Sequence, residues 1–61
     1  MTERLKWNLI AVFERLDGTI FKQRIAKVDE DISPEEVHKL IKGYKKILGD
    51  SYFTIDWYLS L

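Results

Sequence analysis

The chain has 61 residues, no cysteine, and ten basic against ten acidic side chains, so its formal net charge is zero. A chain this short folds as one small domain that buries only about 60% of the surface it exposes when unfolded, and the missing thiols exclude a disulfide framework or a thiolate metal site. The balanced charge argues against a general nucleic-acid binder, and no apolar run approaches the roughly 20 residues of a membrane span or forms the apolar stretch of a leader peptide.

In the first segment every odd position from Leu5 to Phe13 is apolar (Leu5, Trp7, Leu9, Ala11, Phe13), the period-two pattern of a strand with one buried face. Ile10 and Val12 make its second face partly apolar as well, which suits a strand in the middle of a sheet. Asp17-Gly18 then separates this run from a second one, Thr19 to Val28, and such a pair is a strong hairpin signal.

The loop length decides which side chains share a face. A two-residue loop puts Phe13 beside Lys22 and Ala11 beside Arg24, burying two cations. A three-residue loop (Leu16, Asp17, Gly18) pairs Phe13 with Phe21 and Leu9 with Ile25 instead, leaving Lys22 and Arg24 beside Val12 and Ile10. An unpaired buried charge costs several kcal/mol, more than any preference among turn types. The expected turn is therefore type I, closed by Gly18 at positive φ.

Ser33-Pro34-Glu35-Glu36 follows, with the N-cap serine, first-turn proline and glutamate three residues on that open a helix. Val37, Leu40, Ile41, Tyr44, Ile47 and Leu48 recur at helical spacing and Gly49 supplies the C-cap, so the helix runs from about residue 34 to residue 48. Its acidic start and lysine-rich end match its own dipole. Phe53, Ile55, Trp57, Leu59 and Leu61 then alternate with Tyr52, Thr54, Asp56, Tyr58 and Ser60 as a third strand.

The expected fold is α+β, in the order β-β-α-β over residues 1–61. One helix covers one face of a three-stranded antiparallel sheet of order 2-1-3, reached through a right-handed crossover. The uncovered face is expected to carry Ile10, Val12, Ile20, Ala26, Val28, Tyr52 and Tyr58 among Lys6, Lys22, Arg24 and Asp56. So apolar a face points to a subunit or partner contact.

Gly43 lies within the helix at a cost of about 1 kcal/mol relative to alanine. It shares an edge with Glu36, Leu40 and Ile47, where another backbone could come close. Homodimerisation is expected, through the bare sheet face, the helices or an edge strand.

Catalytic chemistry finds no footing. His38, the single histidine, points away from the apolar stripe, and Ser33, Ser51 and Ser60 have no base and orienting group beside them. Asp29, Asp31 and Ser33 open like a calcium loop, but Pro34 stands where glycine is needed and Leu40 where the bidentate glutamate belongs. No enzyme activity, metal or cofactor is expected. Lys39, Lys42 and Lys46 could touch phosphates and Tyr52 or Tyr58 could stack on bases, but neighbouring acids and zero net charge weigh against it.

The apolar first strand, the turn ending in Asp17-Gly18, the aromatic-bearing second strand, "DISPEEV" opening the helix and the alternating last strand together resemble, in layout, the small dimeric uracil-DNA glycosylase inhibitors encoded by certain phages of Gram-positive bacteria. The resemblance covers nearly the whole chain. It implies a non-enzymatic DNA mimic acting in the host cytoplasm. In that family the two helices of a homodimer flank an apolar groove, which captures the residue the repair enzyme inserts into DNA. Glu36-Val37 matches the family's early-helix Glu-Val, so the resemblance implies Glu36 as the phosphate mimic. Leu40, Gly43, Tyr44 and Ile47 are candidate groove residues by their geometry alone.

Overall fold

A computed structural model describes residues 5–61; residues 1–4, on which part of the leader-peptide reading falls, lie outside it. Three strands and one helix follow in the order β1 (Trp7–Arg15), β2 (Ile20–Val28), α1 (Pro34–Leu48) and β3 (Tyr52–Ser60). The strands form one antiparallel sheet of order β2-β1-β3, so the α+β architecture and strand order are those the sequence implies.

The hairpin turn has three residues. The Gly18 N–H donates to the Arg15 carbonyl at 2.9 Å, and the Arg15 N–H donates to the Thr19 carbonyl at 2.8 Å. Gly18 has φ of +91°, a region that side chains with a Cβ rarely adopt. The Asp17 carboxylate accepts from the Thr19 N–H at 3.0 Å, and that bond holds its carboxyl below the usual carboxylate range. Phe13 consequently stands opposite Phe21, with ring centroids 5.5 Å apart, and Lys22 stays out of the core.

Beyond that point the register departs from simple alternation. Ile10 pairs with Arg24 but Leu9 pairs with Ala26, so Ile25 is the extra residue of a bulge and the expected Leu9–Ile25 pair does not form. The reason is the same cost of burying a cation. Unbroken alternation from Phe21 would carry Lys27 into the core, and one extra residue sends Lys27 out and brings Ala26 and Val28 in. Val28 keeps only 7% of its surface exposed, which corrects its placement, and that of Ala26, on the open face.

A second bulge lies in β3, where Val12 pairs with Asp56 and Phe13 with Thr54, leaving Ile55 as the extra residue. Tyr52, opposite Arg15, therefore stands on the helix side, its ring edge-on to Phe21 at 5.5 Å. Phe53, opposite Glu14, takes the other face and is 46% exposed. Tyr52 and Phe53 thus exchange the places that strict alternation gives them.

The helix starts and stops where its caps dictate. The Ser33 hydroxyl accepts from the Glu36 N–H at 3.2 Å, Pro34 occupies the first turn, and the Gly49 N–H donates to the Lys45 carbonyl at 2.9 Å with φ of +95°. Val37 and Ile41 drive into a core with Leu9, Ala11, Phe13 and Val28. Leu40, Tyr44, Leu48, Trp57 and Leu59 pack around it. Near the other end of the sheet Lys6, just before β1, reaches the Asp29 carboxylate at 2.9 Å.

Candidate partner-binding surfaces

The helix meets the sheet along one stripe, and its two flanks differ. At 100° per residue, Glu36, Leu40, Gly43 and Ile47 fall on one edge about 16 Å long. Glu36 and Gly43 are exposed and Leu40 is half-buried, while Ile47 keeps 80% of its surface in solvent. A Cβ built on Gly43 meets nothing within 4 Å, so among the described residues nothing beyond its own helix packs against the glycine.

Tyr44 does not join this edge. Its ring stacks on Phe13 at 6.0 Å, and the side chain is half-buried against the core. Four of the five expected contact residues therefore line up, and the fifth supports them from within.

The opposite flank, toward β3, forms a groove of about 500 Å³ lined by His38, Ile41, Lys42 and Lys45 of the helix and by residues 54–57 of β3. Its helix rim is cationic, and the Lys45 ammonium lies 5.8 Å from the Phe53 ring centroid. The β3 bulge shapes this groove by pushing Ile55 outward, where it is 51% exposed. Alternating apolar residues gave no hint of it, because Ile55 reads as one more member of the buried set.

The open face of the sheet is the third surface. With both bulges in place it carries Ile10, Val12 and Glu14 of β1, flanked by Ile20, Lys22 and Arg24 on β2 and by Phe53, Asp56 and Tyr58 on β3. Val12 is only 9% exposed although no helix covers it. Lys22, its neighbour on β2, sends its ammonium across to 5.7 Å from the Tyr58 ring centroid, laying its methylenes over the valine. Ile20 at 56% and Tyr58 at 39% remain exposed.

No known family model, curated protein or solved structure matches this chain. Any functional reading therefore stands on these surfaces and on the resemblance of layout. Among the described residues no group of three or more histidine, cysteine, aspartate or glutamate side chains comes together in a way that could hold a metal ion. Nor, among the described residues, is any helix long and apolar enough to cross a membrane.

Proposed function

We propose that the chain is a non-enzymatic, homodimeric inhibitor that binds a host DNA-repair enzyme, uracil-DNA glycosylase, in place of DNA. The observation that carries this reading is the helix edge, where Leu40, Gly43 and Ile47 offer an apolar strip open to water. Glu36 stands at its head. Such a strip suits the insertion of a bulky side chain from the enzyme, and a carboxylate beside it suits a cationic, phosphate-binding surface. The resemblance of layout to phage glycosylase inhibitors supports that choice of target.

The test is uracil excision by a bacterial uracil-DNA glycosylase in the presence of increasing protein. Excision is expected to fall at stoichiometric amounts, and Glu36→Lys and Ile47→Asp, both on the exposed edge, are expected to relieve the block without loss of helical circular dichroism. Undiminished excision at excess protein overturns the reading.

A second reading is a small dimeric interaction or regulatory module for another protein or for nucleic acid, favoured by the cationic groove of Lys42 and Lys45. Pull-down from a host lysate separates the two, since the inhibitor retrieves one repair enzyme. A salt-dependent band shift with DNA or RNA marks the nucleic-acid case.

A further inference from the structure

The cross-strand register gives the open face of the sheet a pattern that a second copy of the same chain complements. Two rows run across its centre: Lys22, Val12 and Asp56 in one, Arg24, Ile10 and Tyr58 in the next. In both rows the cation stands on β2 and its natural partner, a carboxylate or an aromatic ring, stands on β3. The two outer strands lie about 10 Å apart across β1; Lys22 spans that gap diagonally, reaching the Tyr58 ring at 5.7 Å, whereas among the described residues the partners within each row, Lys22 with Asp56 and Arg24 with Tyr58, make no contact inside the chain.

We infer that two copies pair open face to open face about a two-fold axis running along β1. Such an axis exchanges the two edges, so β2 of one copy lies over β3 of the other. Lys22 then faces the partner's Asp56 and Arg24 faces the ring of the partner's Tyr58, each contact made twice. Val12 and Ile10 meet their own counterparts on the axis, where the apolar centre of the interface belongs. In the outer row, Ile20 faces the partner's Phe53.

The other in-plane axis, across the strands, sets β2 over β2 and β3 over β3, so the cationic edge meets itself. The register therefore selects one of the two. Packed sheets keep their strands within about 30° of each other, so the two central rows stay in contact while the ends splay. That divergence separates Glu14 from the partner's Glu14 near the turn. At the other end the same divergence separates Asn8 from the partner's Asn8.

This pairing rests on the homodimer of the proposed function and fixes its geometry differently from two helices flanking one groove. Both helices lie outermost, and each Glu36–Ile47 edge engages a target on its own.

Sedimentation of the full chain and of two charge variants, Lys22→Glu and Asp56→Lys, tests it. Wild type is expected to sediment as a dimer at micromolar concentration. Each variant alone places like charges in both repeated contacts and is expected to raise the dimer dissociation constant at least about tenfold. Mixed in equal amounts the two variants restore both contacts between unlike copies, without altering either single sheet, and the dimer is expected to return.

Circular dichroism establishes that the variants fold. A carbodiimide cross-link between Lys22 and Asp56 in wild type, formed between isotopically labelled and unlabelled chains, gives a readout free of substitutions. A monomeric wild type overturns both this inference and the dimer it rests on. Variants that dimerise as wild type does, a mixture that stays monomeric, or a dimer without the inter-chain cross-link overturns the face-to-face pairing alone. Inhibition of the glycosylase is scored separately.

Discussion

On the helix side of β1, Leu9, Ala11 and Phe13 have no exposed surface, whereas Val12 on the other side keeps 9%, with no helix over it. One face is closed by a separate element, capped at both ends and driven in by Val37 and Ile41. The other is closed by a lysine stem and a tyrosine ring, both anchored at the rim. The first cover is fixed by many contacts at once and belongs to folding. The second rests on a lysine stem and a tyrosine ring at the rim, which another molecule can displace at small cost, so it belongs to recognition.

The sharpest way to break the contrast is Phe13→Ala, which opens a cavity between Phe21 and Tyr44. It is expected to cost about 3–5 kcal/mol in urea unfolding and to leave so small a domain largely unfolded. Gly18→Val acts on the sorting of the faces themselves. A β-branched residue at φ of +91° is expected to cost about 1–3 kcal/mol and to loosen the Phe13–Phe21 register, seen as lost cross-strand nuclear Overhauser effects.

Two matched valines then weigh one cover against the other. Val37→Ala, under the helix, is expected to destabilise the folded chain by about 1 kcal/mol more than Val12→Ala on the open face, because cavities close more easily beneath flexible cover. Gly43→Ala should move stability the other way. Its new methyl group meets nothing within 4 Å, so the free chain gains up to about 1 kcal/mol in thermal unfolding. If the helix edge receives the target, inhibition weakens in the same variant.

The smallest effect belongs to Asp17. Its folded-state carboxyl is held below the ordinary value by the Thr19 N–H, so the ionised form stabilises the turn above the unfolded value, and that stabilisation is lost as pH falls through the lowered one. The difference in melting temperature between wild type and Asp17→Asn is expected to be constant above about pH 5 and to shrink below about pH 4.

Much of the fold was legible because each element carries its own punctuation. Ser33, Pro34, Glu36 and Gly49 bracket the helix, and refusing to bury Lys22 and Arg24 selects the three-residue turn. The same refusal, applied to Lys27, demands a change of phase before Val28. That signal was present but lies ten residues from the turn, where an extra residue at Ile25 is indistinguishable by pattern from ordinary alternation.

The β3 bulge had no such signal. Phe53, Ile55, Trp57 and Leu59 alternate without a flaw, and only tertiary packing of Tyr52 against Phe21 draws the strand out of phase. The helix edge was readable from periodicity, apart from Tyr44, whose stacking on Phe13 depends on where the helix comes to rest. The groove beside β3 depends on the unreadable bulge and stayed hidden with it.

Both outer strands, then, are interrupted: β2 at Ile25 and β3 at Ile55. An interrupted border makes a poor template for a neighbour that would extend the ladder strand by strand, since no long, flat row of amides and carbonyls is offered. A small protein with much greasy surface is thereby steered away from open-ended ribbons and fibrils, and toward assemblies that are finite.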